Sequence, residues 1–103
     1  MLLRQIEIFQ AVVEHRSFSE AAEASYISQS AVFQEIKALE KELGVKLLER
    51  RNRGFSLTAA GESFYRRSLL ITAELQKLRR EVIRIDRKGV EEKVSAWLDA
   101  IGY

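Results

Sequence analysis

The chain has 103 residues, with 17 basic and 15 acidic side chains for a formal net charge of +2, and it contains neither cysteine nor proline. A chain of this length supports one small core, and without cysteine it has no disulfide framework, thiolate metal site or catalytic thiol. No secretory signal is visible and no apolar run approaches the roughly 20 residues of a membrane span, so we expect a cytoplasmic protein with no membrane partner.

The charge is unevenly distributed along the chain. Up to Ala60 there are eight basic and eight acidic residues, yet three of those eight positive charges fall between Arg50 and Arg53. Bulk charge therefore does not indicate a nucleic-acid partner, whereas this local cluster does.

The first two predicted helices are short. One runs from about Leu3 to His15. Its apolar stripe comprises Leu3, Ile6, Phe9, Val12 and Val13. Ser17 and Glu20 form an S-x-x-E capping box that begins a second helix near Phe18–Ser25. The alanines of this second helix would let another helix cross closely over it.

A third helix is predicted near Gln29–Leu43, with Ser28 as its cap and Gly44 as its left-handed stop. Its buried stripe comprises Val32, Ile36, Leu39 and Leu43. The opposite face carries short hydrogen-bonding side chains followed by lysines, as expected of a helix that enters a major groove N-terminus first. The candidate DNA contacts in this region are Ser28, Gln29, Ser30, Ala31, Phe33, Gln34 and Lys37.

The chemistry of these candidates suits base edges. Gln29 can bond adenine bidentately, Ser30 can donate or accept, and the Ala31 methyl group can meet a thymine methyl group. An ordinary solvated helix face is the alternative for the set. Phe33 has a further alternative, which is to pack on the first helix.

A small hairpin is predicted after the third helix. A strand at Lys46–Glu49 leads into a turn at 51–54 and a return strand at Phe55–Leu57, with Phe55 and Leu57 on the core side. Asn and Gly in the turn tolerate the positive φ of tight hairpins. Two strands are too few to be stable alone, so this wing must pack on the helices.

The wing carries three candidate DNA contacts, Arg50, Arg51 and Arg53. Arginines on a wing can grip phosphates and enter a minor groove. The alternatives are a solvated hairpin tip for the cluster and, for Arg50, bracing of the hairpin through Glu49 or Glu62.

A long helix is predicted from Ala59 to about Arg87, with Thr58 as its cap. Its apolar residues end in steps of four and three, which is typical of a coiled-coil seam. An isolated helix would leave this stripe in water, so we expect a homodimer, with higher oligomers open. The candidate dimerisation residues are Phe64, Ile71, Leu75, Leu78, Val82 and Ile85.

The last segment, residues 88–103, is predicted to be a separate short amphipathic helix after Gly89, ended by Gly102. Its apolar face comprises Val90, Val94, Trp97, Leu98 and Ile101. This face could recruit a partner, or it could fold back over the seam and bury it within one chain.

From Leu3 to Gly61, which is over half of its length, the chain resembles the DNA-binding part of the LysR-type transcriptional regulators. The family usually has Leu at Ser25, Ser at Phe33, and Arg or Lys at Gln34, so its usual contacts at the last two positions do not carry over. The matching strings, in the family's order and without a gap, are F-x-A-V, SFSEAAE, SQSA, I-x-x-LE-x-ELGV, L-x-ER and LTAAG.

The order of parts and the resemblance together give a mainly α fold: a winged helix-turn-helix of three helices plus a two-stranded wing, followed by a long linker/dimerisation helix. The expected divisions are 1–58 (helix-turn-helix about 18–37), 59–87 and 88–103. In the family the linker helix pairs antiparallel with its copy, and an effector-binding domain follows; this sequence has VEEKVSAWLDAIGY instead. We therefore expect a sequence-specific regulator that binds double-stranded promoter DNA as a homodimer, with no cofactor, metal or catalytic residue.

Two other readings stay open at this point. The amino-terminal domain of a molybdate-type regulator shares the winged helix, although LTAAG and ELGV favour the LysR type. A protein-interaction module is a different class, in which the seam and the tail recruit a partner and DNA contact is minor. An enzyme has no supporting constellation, because His15 has no ligating companions, and Ser28 and Ser30 have no companion base.

Overall fold

The computed structural model describes residues 1–102, apart from the side chain of Val90. The described residues form four helices and one hairpin, so the predicted mainly α architecture with a two-stranded wing is confirmed. The helices and strands are α1 Leu3–His15, α2 Phe18–Ser25, α3 Gln29–Leu43, β1 Leu48–Arg51, β2 Gly54–Leu57 and α4 Ala59–Ala100. The bounds of α1, α2 and α3 are the predicted ones. No helix among the described residues has the length and apolar character needed to cross a membrane.

Local capping explains why α2 and α3 begin and end where they do. The Ser17 hydroxyl accepts the Glu20 N–H at 3.1 Å, and the Ser28 hydroxyl accepts the Ala31 N–H at 3.1 Å. Each of these bonds satisfies a backbone donor that the first turn of a helix leaves without a partner. At the other end of α3, Gly44 adopts a φ of 72° and donates its N–H to the Glu40 carbonyl at 2.8 Å.

The three helices enclose one small core. Phe9 and Val12 of α1 and Val32 and Leu39 of α3 are completely buried, and Ala21 of α2 lies between them without any exposed surface. Side chains of this kind each contribute about 1.5–3 kcal/mol when fully buried. Because the buried side chains of α2, Ala21 and Ala22, are small, α1 and α3 can pack closely against it, as the sequence indicated.

The first strand of the wing lies two residues later than predicted, at Leu48–Arg51, whereas the second strand begins one residue earlier, at Gly54. The strands pair antiparallel from Leu48↔Leu57 to Arg51↔Gly54. Strand pairing does not extend back to Lys46, because Thr58 binds the backbone carbonyl groups of Lys46 and Leu47. Thr58 donates its hydroxyl to the Lys46 carbonyl at 2.7 Å and its N–H to the Leu47 carbonyl at 3.0 Å. Phe55 and Leu57 pack on the core, as predicted.

The start of α4 is fixed by Thr58 and Gly61. The Thr58 hydroxyl accepts the Gly61 N–H at 2.9 Å, which confirms the predicted cap. Gly61 is buried, and a Cβ atom at this position would overlap the carbonyl oxygen of Leu47. Only glycine therefore lets the first turn of α4 pass so close to the segment that leads into the wing.

The first turns of α4 pack on α1, which corrects the assignment of Phe64 to the dimer seam. The Phe64 ring meets the Phe9 ring edge to face, with centroids 5.1 Å apart, and belongs to the core. At the next residue, the Tyr65 hydroxyl donates to the Glu14 carboxylate at 3.2 Å. Burial, together with the negative charge of Glu14 and this hydrogen bond, raises the pKa of Tyr65. The hydroxyl of the buried Ser68 accepts from the Gln10 amide at 3.0 Å.

The chain divides into two compact units, one ending at Leu69 and one beginning at Leu70. The division falls inside α4 and not at residue 58, because residues such as Phe64 and Ser68 pack with the three-helix core. Within the second unit the seam residues Ile71, Leu78, Val82 and Ile85 are each at least half exposed, and Leu75 is partly covered.

The prediction of a separate tail helix was wrong, because α4 continues without a break to Ala100. Gly89 does not adopt a positive φ and so does not act as a helix stop. A lone glycine costs a helix about 1 kcal/mol relative to alanine, and the good helix formers after it offset this. The helix ends before Gly102, whose φ is 77°. Of the predicted tail face, Val94, Trp97 and Ile101 are exposed. The side chain of Val90, and Tyr103 in the last predicted segment, lie outside the described residues.

Candidate nucleic-acid interface

A concave groove lies between α3 and the wing, within the first unit. Its volume is about 680 Å³, and it brings the predicted base-reading face of α3 together with two of the three wing arginines. The lining residues are Phe18, Gln29, Ser30, Phe33, Ile36, Lys37, Glu40, Leu48, Glu49, Arg50, Arg51, Gly54 and Phe55. Four predicted contacts, Ser28, Ala31, Gln34 and Arg53, do not line the groove.

The N-terminal turn of α3 presents side chains with unused hydrogen-bonding capacity. Gln29 is exposed, and its amide has no hydrogen-bond partner among residues 1–102. The Ser30 hydroxyl lies 3.2 Å from the Ser28 hydroxyl, which also caps the helix. Ser28 is therefore occupied in holding the helix start. Gln29 and Ser30 are left to meet a ligand at the groove.

Phe33 packs on α2, a contact that was not predicted from the sequence. Its ring centroid lies 6.2 Å from that of Phe18, and the Phe18 ring in turn lies 5.2 Å from Phe55 of the wing, in an edge-to-face arrangement. These three rings join α2, α3 and β2. The Phe33 side chain nevertheless remains 39% exposed, so it both braces the groove and contributes to its surface.

Glu40 holds the wing against α3, a role that the sequence analysis missed. The residue is 8% exposed, and its Oε2 atom accepts the N–H groups of Leu47 at 2.7 Å and Leu48 at 3.3 Å. The Lys37 ammonium lies 3.4 Å from the Oε1 atom. A usable signal was present in the sequence, because Glu40 follows Ile36 by four residues and so shares the buried side of α3.

The wing arginines have different roles in the structure. Arg51 donates from Nε to the Ser56 hydroxyl at 3.0 Å and lies 3.9 Å from the Glu49 carboxylate. It therefore braces the hairpin, the role that the sequence analysis offered for Arg50. Neither Arg50 nor Arg53 has an ion-pair partner among residues 1–102, so both cations are available to an external anion.

Glu62, the other proposed brace for Arg50, pairs instead with Arg66 at 2.9 Å. The strand register explains why Arg51, and not Arg50, lies near Glu49. Side chains alternate between the faces of a strand, so Arg50, opposite Phe55, points to a different face from Glu49 and Arg51. Arg50 thus lies on the side of the hairpin that carries Phe55 and lines the groove.

Basic side chains from α3 and the wing meet beside the groove. A neighbouring depression is lined by Lys37, Lys46, Leu48, Glu49, Arg50 and Arg51, so four of its six lining residues are cationic. Lys37 is partly neutralised, because its ammonium lies near Glu40 and also 5.3 Å from the centroid of the Phe33 ring. Of the four cations, Lys46 and Arg50 have no ion-pair partner among residues 1–102. Among the described residues there is no group of three or more His, Cys, Asp or Glu side chains that could hold a metal ion.

Tyr26 is a second feature that the sequence analysis left unassigned. It lies in the turn between α2 and α3, it is 94% exposed, and its φ of 57° is left-handed. Its N–H donates to the carbonyls of Ala22 and Glu23, which ends α2. A bulky residue with this φ is uncommon, and no pattern in the sequence signals it.

Comparisons with known proteins agree with this geometry. Residues 3–62 match the family described as "Bacterial regulatory helix-turn-helix protein, lysR family". The chain is 38% identical over 87 residues to the glycine cleavage system transcriptional activator of Escherichia coli (strain K12), covering 84% of this chain and 28% of that protein. It is also 38% identical over 88 residues to the RuBisCO operon transcriptional regulator of Allochromatium vinosum, covering 85% of this chain and 28% of that protein.

Two solved structures of DNA complexes are similar to this fold. The BenM_DBD/catB site 1 DNA complex has a TM-score of 0.80 at 36% identity, covering 82% of this chain and 96% of that chain. The CbnR_DBD-DNA complex has a TM-score of 0.69 at 37% identity, covering 82% of this chain and 99% of that chain. The chain spans a little over a quarter of the length of the two curated relatives. From the family match, the relatives and the fold, the chain belongs to the LysR family of bacterial helix-turn-helix regulators.

Proposed function

We propose that this chain binds double-stranded promoter DNA in a sequence-specific manner and thereby controls transcription. The observation that carries the proposal is the groove in which Gln29 and Ser30 of α3 and Arg50 of the wing line one surface. Hydrogen-bonding side chains at the start of a helix suit base edges, and unpaired arginines nearby suit phosphates. The two similar structures solved as DNA complexes support this reading.

In the proposed complex, α3 enters the major groove with its N-terminal turn foremost, and the wing follows the adjacent backbone. Gln29 and Ser30 read base edges, Arg50 and Arg53 contact phosphates or the minor groove, and Arg51 shapes the hairpin that presents them. The full set of proposed contacts is Ser28, Gln29, Ser30, Ala31, Phe33, Gln34, Lys37, Arg50, Arg51 and Arg53. The protein acts by binding and not by catalysis, uses no cofactor, and works in the cytoplasm.

The second part of the proposal is a homodimer formed through α4. Ile71, Leu78, Val82 and Ile85 expose at least half of their surface in a single chain. Together with Leu75 they follow the four-and-three spacing of a coiled-coil seam. A dimer would place two copies of α3 on successive major grooves of a partly palindromic site.

In-vitro selection of binding sites with the purified chain tests this function, followed by Gln29→Ala on the selected duplex. Loss of one bidentate base contact should weaken specific binding by about 1–3 kcal/mol and leave binding to random DNA almost unchanged. Gln76→Ala is the matched control, because Gln76 is an exposed amide on α4 that does not line the groove and is not among the proposed contacts. Failure to enrich any site would contradict the proposal, and an equal loss on random DNA would limit Gln29 to backbone contact.

The exposed apolar surface of α4 favours one competing function, a protein-interaction module in which DNA contact is minor. The dependence of binding affinity on salt concentration distinguishes the two functions. DNA affinity falls steeply with added salt, because each phosphate contact releases counterions, whereas an apolar seam responds little. Binding to the selected duplex that stays constant between low and moderate salt would favour the interaction module.

A further inference from the structure

Phe33 is an apolar side chain on a surface that is otherwise built for hydrogen bonding. It follows Gln29 by one turn of α3 and lines the same groove as Gln29 and Ser30. With 39% of its surface exposed, the ring presents hydrocarbon where its neighbours present amide and hydroxyl groups.

The ring is held in position before any ligand arrives. Phe18 lies 6.2 Å away between ring centroids, and Phe18 is itself fixed by the edge-to-face contact with Phe55 at 5.2 Å. The Lys37 ammonium, 5.3 Å from the Phe33 centroid, adds a cation–π contact. A ring held by contacts with α2 and α3, and braced by the wing through Phe18, has little rotational freedom to lose when it meets a partner, which favours specific contact.

The chemistry of the ring defines what it can recognise. A phenyl group has no donor or acceptor, so it cannot pair with the nitrogen and oxygen atoms of a base edge. The one apolar group that an unmodified base pair shows in the major groove is the 5-methyl group of thymine. Building on the DNA-binding function proposed above, we propose that Phe33 is a specificity-determining residue that recognises a thymine methyl group in each half-site.

Deoxyuridine substitution tests this inference, because uracil keeps every hydrogen-bonding atom of thymine and lacks only the methyl group. Each thymine of the selected duplex is replaced in turn, and affinity is measured by fluorescence anisotropy. Burial of one methyl group corresponds to about a fourfold change in affinity. The expected result is a roughly fourfold loss at one thymine position per half-site and little change at the others.

Protein variants then assign the effect to Phe33. Phe33→Ser should bind the thymine and uracil duplexes equally, whereas Phe33→Leu keeps an apolar side chain and should retain part of the preference. Ala31→Ser is the matched control, since Ala31 is the other candidate for a methyl contact, and it should leave the preference at the Phe33-dependent position intact. Circular dichroism checks that each variant is folded, and if Phe33→Ser unfolds, reduced discrimination by Phe33→Leu decides the question.

Three results would overturn the inference while leaving the proposed function intact. They are a selected site without thymine in its half-sites, wild-type binding that ignores every uracil substitution, and a thymine preference that persists unchanged in both folded Phe33 variants. Failure of the wild-type chain to bind any unmodified site specifically would be a different outcome, because it would overturn the proposed function itself.

Discussion

Glu40 illustrates how one buried carboxylate can position a whole functional surface. Its Oε2 atom accepts two backbone N–H groups, from Leu47 and Leu48, at the point where the chain enters the wing. Hydrogen bonds to an ionised group are roughly twice as strong as neutral ones. The carboxylate therefore fixes the distance between α3, on which it is carried, and the hairpin that presents Arg50.

We expect Glu40→Gln to lower the free energy of unfolding by about 1–2 kcal/mol, because a neutral amide oxygen is a weaker acceptor for the same two donors. Urea denaturation followed by circular dichroism measures this. Glu23→Gln is the control, since Glu23 is exposed on α2 and forms no ion pair among residues 1–102, and it should change stability by less than about 0.5 kcal/mol. Equal stability of the two variants would show that the negative charge of Glu40 adds nothing to these two hydrogen bonds.

Tyr26 shows the opposite case, a residue whose backbone conformation costs energy. Only Arg16 and Tyr26 are non-glycine residues with positive φ among the described residues, and Tyr26 makes little packing contact because it is 94% exposed. The left-handed conformation costs a residue with a Cβ atom roughly 1–2 kcal/mol. Such strain at an exposed turn before α3 is the kind of outlier from which a functional role is reasonably sought.

Tyr26→Gly should therefore raise the free energy of unfolding by about 1 kcal/mol, since glycine adopts this φ without the Cβ clash. Tyr26→Ala provides the contrast, because alanine keeps the Cβ atom and should give no gain. Thermal and urea unfolding measure both variants. The same gain in alanine and glycine would mean that the tyrosine ring, and not the backbone, is the source of the cost.

At the scale of the elements, the arginines of the wing differ in whether they have partners within the chain. Arg51 is engaged by Ser56 and Glu49, whereas Arg53 occupies the turn and has no ion-pair partner among the described residues. A free cation at a hairpin tip can replace counterions on a DNA phosphate, and this effect does not depend on the DNA sequence.

Arg53→Ala should weaken binding to all DNA sequences by a similar factor and flatten the slope of log affinity against log salt by about one unit. Fluorescence anisotropy at several salt concentrations measures both effects. For Arg51→Ala we expect a smaller change in slope and a larger loss of stability, because that guanidinium stabilises the hairpin. A slope that changes in Arg51→Ala and not in Arg53→Ala would reverse the two assignments.

The elements also show which parts of the fold could be predicted from sequence. Ser17, Ser28, Gly44 and Thr58 are local signals, and the helix ends that they determine were predicted correctly. Gly89 is an ambiguous signal, since a single glycine can end a helix or lie within one. Gly102 has a positive φ and lies just beyond the end of α4, whereas Gly89 has no positive φ and lies within the helix.

Side-chain partners were harder to predict because they depend on register and on tertiary packing. Because β1 extends to Arg51, Glu49 and Arg51 lie on one face of the strand, with Ser56 opposite Glu49, so that Arg51 and not Arg50 meets these two partners. Phe64 carries the same hydrophobic signal as a seam residue, but its position in the second turn of α4 places it on Phe9. For the groove, the residue types on α3 could be predicted from the sequence, but the role of the buried Glu40 carboxylate that holds the wing beside them could not.

At the scale of the whole molecule, the second unit raises the question of what covers its apolar seam. Counting on from Ile85 in steps of four and three gives Gly89 and Glu92, so the seam ends at Ile85. Trp97 lies out of phase with this spacing and belongs to a different stripe of α4. Since α4 is continuous to Ala100, the tail extends the helix and does not fold back over Leu78 as the sequence had allowed.

A second copy of the chain is therefore the partner we expect for the seam, and Leu78→Lys tests this at its centre. An ammonium group buried against the partner's apolar side chains has no counter-charge, and this cost should convert the dimer to a monomer in light scattering. High-affinity binding to a two-half-site operator should be lost with it. Circular dichroism should show the three-helix core intact, because Leu78 does not contribute to that core.

Two controls make this last prediction specific to the seam. Gln76→Lys adds the same charge beside the seam and should leave the dimer intact, since it follows Leu75 by one residue and so lies outside the four-and-three spacing. Deletion of residues 89–103 should also leave the dimer intact, because the seam ends before them. A wild-type monomer that dimerised only after this deletion would contradict the assignment, since the tail would then be masking the seam in solution.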